Sequence, residues 1–106
     1  MLSVLQTALA GMTRNQQGAQ TAATNIANVN TDGYRTQRFD SATGQTAEAD
    51  PAAERPADWP DDRPYNDVDL ASEMVSLKTY EIGFRANATV VAAADRMLGE
   101  LMDVFA

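Results

Sequence analysis

DVDLASEMVSLKTYEIGFRANATVVAAADRMLGELMDVF, residues 67–105, reads as a single amphipathic helix, and the fold turns on it. Leu77, Tyr80, Phe84, Asn87, Val91, Ala94, Leu98, Leu101 and Phe105 follow one another at alternating steps of three and four. That spacing is the seam of a coiled coil rather than the broad apolar face of a globular helix. Leu70 and Met74 lead into it, and no proline interrupts the run after Pro64. Fully helical, the segment would be roughly 55 Å long at ~1.5 Å per residue. In a chain of 106 residues such a helix buries its seam only against a second long helix or against other molecules. Asp67 or Asp69 suits the cap at its start, and Glu73 lies favourably toward the positive end of its dipole. Asn87 is the one polar residue in the seam from Leu77 to Phe105, where a buried asparagine sets register and partner number. Gly83, which costs about 1 kcal/mol in helix propensity, marks a close crossing or a slight bend.

Working outward, the first segment repeats the rhythm. Leu2, Leu5, Leu9, Met12, Gln16, Ala19, Ala23 and Ile26 keep steps of three and four, and Ser3 with Gln6 forms a capping-box pattern at the start. Beside this row runs a second and smaller one, Val4, Ala8, Gly11, Asn15, Gly18 and Ala22. Small residues admit a closely packed helix but bury little area, so this helix is marginal alone. Residues 1–30 are therefore expected to be largely disordered in a free monomer and helical in an assembly. The run Asn25-Ile26-Ala27-Asn28-Val29-Asn30-Thr31-Asp32-Gly33-Tyr34 then ends the helix, because Asn and Asp compete for backbone hydrogen bonds and Asp-Gly signals a turn.

Between the two helices the composition changes. Arg35 to Phe39 suits a short extended segment. Beyond it lie Pro51, Pro56, Pro60 and Pro64 among dispersed acids, with no helical or strand periodicity, so the connector reads as irregular. Trp59 is its one large apolar residue, either docking the connector on a helix or anchoring a neighbouring molecule.

Charge and composition exclude several classes. The net charge is −7 with no basic cluster, which argues against nucleic acid and anionic membrane as partners. No run of ~18 apolar residues exists to span a membrane. Met-Leu-Ser-Val at the start lacks a basic region and a clear cleavage site, so no cleavable secretory signal is expected. Histidine and cysteine are both absent, which removes the commonest general base and the commonest metal ligands. Asp58, Asp61 and Asp62 sit in a proline-rich loop, Glu73 and Glu81 fall on a helix, and no calcium-loop spacing occurs. No catalytic, cofactor-binding or metal site is assigned.

The residues ending the first helix carry a resemblance. Ala22-Ala23-Thr24-Asn25-Ile26-Ala27-Asn28-Val29-Asn30-Thr31-Asp32-Gly33-Tyr34 resembles the N-terminal signature of the bacterial flagellar axial family, the basal-body rod and hook proteins, with Asp32 where that family usually has proline. Asn66 to Val75 looks like the stretch that opens the family's C-terminal helix. Phe84-Arg85-Ala86-Asn87-Ala88 is similar to its aromatic-x-Ala-Asn signature, and Ala94 to Leu98 to its closing one. The resemblance implies an all-α fold, with two long terminal helices forming an antiparallel coiled-coil hairpin. Residues 1–30 and 67–106 supply the helices of one structural domain. Residues 31–66 are the turn and the extended, proline-rich, acidic connector, in place of the β domains of larger members.

The same resemblance implies a structural subunit of the flagellar rod or its immediate neighbourhood, not an enzyme, that polymerises in the periplasm to support motility. Its partners would be other rod or hook subunits, copies of itself, and the flagellar type III export apparatus. A small helical adaptor or export partner of axial proteins is the alternative. The expected assembly interface comprises Leu2, Leu5, Leu9, Met12, Ile26, Leu77, Tyr80, Phe84, Asn87, Val91, Leu98, Leu101 and Phe105. Leu98, Leu101, Met102 and Phe105 crowd the final two turns, an arrangement that expects this end to be buried against the start of the first helix and adjacent subunits.

Overall fold

Two helices of unequal length set the shape of the molecule. The computed structural model describes residues 2–48, 56–60 and 64–105, in the order α1 (Leu2–Ala27), β1 (Gln37–Asp40), β2 (Gln45–Glu48) and α2 (Leu70–Phe105). Pro51, Asp61 and Asp62 of the connector lie outside the described residues. The principal extents of 73 × 21 × 15 Å describe a rod.

α1 and α2 lie side by side and antiparallel. Gly11 faces Asn87, Asn15 faces Gly83 and Gly18 faces Tyr80, so the residue numbers of each facing pair sum to 98. The approach is close: a methyl group added at Gly11 would sit 2.6 Å from Asn87 Nδ2, and one at Gly18 2.7 Å from Tyr80 Cδ1. Two Gly-x-x-x-Asn segments clasp one another here. Asn15 Nδ2 donates back to the Gly11 carbonyl at 2.8 Å and Asn87 Nδ2 to the Gly83 carbonyl at 3.0 Å. Each amide, held on its own helix, lies over the glycine of the other.

This packing corrects the seam expected for the first helix. The row against α2 is the small one, with Ala8 and Ala22 buried beneath Ala94 and Tyr80's helix, while Leu2 and Leu9 are 69% and 53% exposed. The reason is distance. Backbones this close admit glycine, alanine and a folded-back asparagine between them, whereas leucine would hold them apart. On α2, Tyr80, Asn87 and Ala94 belong to the contact layer, and Leu77 and Phe84 turn toward one flank. Ser3 is already within α1, not ahead of it, so the expected capping box does not start this helix.

The connector is not wholly irregular, and the fold is not purely helical. β1 and β2 form an antiparallel hairpin with Gln37 opposite Glu48 and Asp40 opposite Gln45. Its turn closes with Gly44 at φ +73°, whose N–H donates to the Asp40 carbonyl at 2.7 Å. The left-handed conformation is one that glycine adopts without penalty. Phe39 meets Tyr80 edge-on at 6.2 Å between ring centres, and the Arg14 side chain lies against Gly44. The hairpin thus roofs one flank of the helix pair and leaves the other open. β2 is exposed along its whole length, so it carries no alternation of apolar and polar residues that sequence could reveal.

Candidate assembly surface and the motif junction

The asparagine-rich end of α1 is a hydrogen-bonded junction. Asn25, only 1% exposed, is its hub. Its Oδ1 accepts from the Tyr34 hydroxyl and from the Gln37 N–H, both at 2.9 Å, and its Nδ2 donates to the Gln37 carbonyl at 2.9 Å. One side chain therefore ties α1 to the first residue of β1. Asn28 Nδ2 donates to the Thr24 carbonyl, and the Thr31 hydroxyl donates to Asn28 Oδ1. Gly33 turns the chain at φ +76°, with Pro64 close beside it.

The last carbonyls of a helix lack partners within it. Here they are served from far along the chain by Asn66, whose Nδ2 lies 2.8 Å from the carbonyl of Asn28, 3.1 Å from that of Val29 and 2.7 Å from that of Thr31. Asp67 Oδ1 accepts from the Thr36 N–H at 2.6 Å and from the Thr36 hydroxyl at 3.0 Å, and its Oδ2 lies 3.9 Å from Arg35. Of the two expected caps, Asp69 is the one used: its carboxylate accepts from the Ser72 N–H and hydroxyl. Arg35 also lies over the Tyr65 ring at 4.9 Å, and Trp59 meets that ring edge-on at 5.1 Å, which docks the connector on the junction.

Tyr34 sits among these groups. Burial, followed by the charges of Glu73 and Asp67, pushes its hydroxyl above the ordinary tyrosine range. Sequence reasoning did not anticipate the parts of Thr36, Asn66 or Asp67, because all three bond across more than thirty residues. The only local sign was a polar pair ahead of α2, which reads equally well as capping. Of the other motif residues, Ala27 and Asn30 are exposed and Ile26 is half-buried.

The remaining candidate residues divide by face. Tyr80 and Asn87 lie against α1. Leu77 and Phe84 border an open groove of about 610 Å³ with Gln16 and Ala19, on the flank away from the hairpin. Steps of seven continue that flank through Val91 and Leu98 on α2 and through Met12 and Leu5 on α1. Leu9 and Leu2 continue the row of Gln16 by the same steps and stand exposed at the rim of that flank. By the register of the pair, Leu2 lies opposite Arg96, so Leu101 and Phe105 project past the start of α1. The burial expected of this tail is one in the assembly; within the single chain it does not pack on the first helix, and Phe105 is 81% exposed. The reason is length: α1 has 26 residues and α2 has 36.

Among the described residues no cluster of three or more acidic side chains is grouped to hold a metal ion, and no helix is long and apolar enough to cross a membrane. Residues 5–35, the body of α1 with its turn, match the family model described as flagella basal body rod protein. No curated protein matches the chain. The matched stretch contains the Asn25 hub and Tyr34 but stops short of Gln37, Asn66 and Asp67, which complete the junction.

Proposed function

We propose, from the match of residues 5–35 to the flagella basal body rod family, that the chain is a structural subunit of the rod or an adjoining axial structure and polymerises through its two helices. The family role is structural rather than catalytic, and its location is the flagellum. The finer reading is a periplasmic subunit, exported by the flagellar type III apparatus, whose helix pair acts as a coiled-coil unit contacting like units and other rod or hook subunits. The observation that carries it is the apolar surface left uncovered by the pairing. Leu2, Leu9, Phe84, Leu98, Leu101, Met102 and Phe105 are all at least one-third exposed. Sustained apolar exposure of this kind marks an interaction surface, and heterologous contacts between identical units generate a filament.

Expected interface residues Leu5, Met12, Leu77 and Val91, each half-buried, add to the same flank. Asn87 and Tyr80 then set the pairing beneath it, and Ile26 extends the flank toward the junction.

Detergent extraction of basal bodies from the bacterium of origin tests this reading. Recovery of the protein with the extracted basal bodies is the expected result. Recovery in the cytosol alone would refute it and favour an adaptor or export partner.

A further inference from the structure

Glu73 is 4% exposed, and among the described residues its carboxylate has neither a hydrogen-bond nor an ion-pair partner, so its oxygens meet only the little solvent that the cleft beside them admits. A carboxylate enclosed in that way without a partner is disfavoured against one in open water unless something compensates it. Its place in the first turn of α2 supplies part of the compensation, through the positive end of the dipole. The carboxylate also borders a cleft of about 230 Å³ under the hairpin, lined by Thr21, Gln37, Arg38, Phe39, Ser76 and Tyr80. Hydroxyl and amide oxygens and two aromatic rings surround one anion, a set suited to an ammonium or guanidinium group.

Among the described residues, four cations are engaged elsewhere. Lys78 and Arg85 pair with Glu81, Arg35 is held between Asp67 and Tyr65, and Arg14 lies against Gly44. Arg38 stands exposed at the cleft without closing on Glu73. The chain as a whole carries a charge of −7, so it gains by meeting a basic group.

We propose that this cleft receives a lysine or arginine side chain of a neighbouring axial subunit, with Glu73 as its counter-ion. The identity of the partner rests on the axial-subunit reading above, whereas the cation site itself does not. It follows that Glu73 weakens the free chain and strengthens the assembly, two effects of opposite sign.

The site is tested on the purified full chain by titrating n-butylammonium chloride, with tetramethylammonium chloride as the salt control, and following backbone amide resonances. Saturable shifts at Gln37 and Ser76 in the parent, absent in Glu73→Gln, are expected. Their absence in the parent would overturn the site whatever the protein's location. The partner is tested by recovery with basal bodies. Glu73→Gln should melt above the parent yet be recovered about tenfold less, the scale of losing one buried charge pair. Arg38→Gln should be recovered as well as the parent. Equal recovery of Glu73→Gln, a fall in both its melting temperature and its recovery, or a loss in Arg38→Gln matching that of Glu73→Gln would each overturn the proposal. Failure of the parent itself to reach basal bodies would instead refute the subunit reading and, with it, the neighbour as occupant.

Discussion

Glycine-to-alanine changes in α1 and α2 separate helix propensity from helix packing, because the two effects have opposite signs at Gly18. Alanine is favoured over glycine by about 1 kcal/mol in a helix interior, so propensity alone predicts that Gly18→Ala stabilises the chain. The structure predicts the reverse. A methyl group there falls 2.7 Å from Tyr80 Cδ1 and closer still to the neighbouring ring carbons Cε1 and Cζ, inside any real carbon contact. Displacing the ring would break its edge-on contact with Phe39 of the hairpin. Overpacking of this kind costs ~1–3 kcal/mol, so the net effect is a loss of up to about 2 kcal/mol. Gly99 is the control, because a methyl group there meets nothing within 4 Å. Gly99→Ala should therefore gain up to about 1 kcal/mol. Urea unfolding followed by far-UV circular dichroism measures both. If Gly18→Ala stabilises the free chain as much as Gly99→Ala does, α1 is not held against Tyr80 in the monomer. That outcome would restore the expectation of a disordered N-terminal segment and refute the packing argument.

Asn25→Ala removes three hydrogen bonds and leaves the Gln37 backbone groups without their partner, at a cost of about 2–4 kcal/mol. A loss under about 1 kcal/mol in the same urea assay would mean that water replaces the hub. Asn87→Leu should stabilise the helix pair while permitting mispaired oligomers, and Asn87→Asp should weaken assembly by burying a charge; sedimentation velocity distinguishes both from the parent. A chain lacking residues 100–106 should keep its helical circular dichroism yet fail to enter basal bodies, and normal incorporation would show that the exposed tail is no assembly surface. Tyr34, its hydroxyl raised above the usual 10.0, favours the neutral phenol in the folded chain. Stability from this source is complete below about pH 10 and is lost as pH rises further, so Tyr34→Phe should flatten the alkaline decline measured by urea unfolding.

The sequence by itself determined the two helices and the break between them. Periodicity, the absence of proline and the asparagine-rich stop are local properties, and they mark where α1 and α2 run, although α1, marginal alone, takes its stability from what packs on it. It also carried the motif from Asn25 to Tyr34 as a pattern, but not the reason for the pattern. Which row of α1 meets α2 was decided only in the tertiary structure. Both rows keep the same helical rhythm, and the choice depends on how near two backbones come, where Gly11 and Gly18 outweigh the larger area of Leu5 and Leu9. An extended stretch at Arg35 to Phe39 was legible, but β2 and the pairing into a hairpin were not, since β2 is exposed throughout and the hairpin rests on Arg14, Tyr80 and Asn25 from the helices. Asn66 and Asp67 look like ordinary residues ahead of a helix until the fold brings them to the carbonyls of Asn28 and Thr31 and to Thr36. Burial of Glu73 is tertiary for the same reason: on an isolated helix its side chain would stand in water, and only the approach of α1 and the hairpin encloses it beside the cleft.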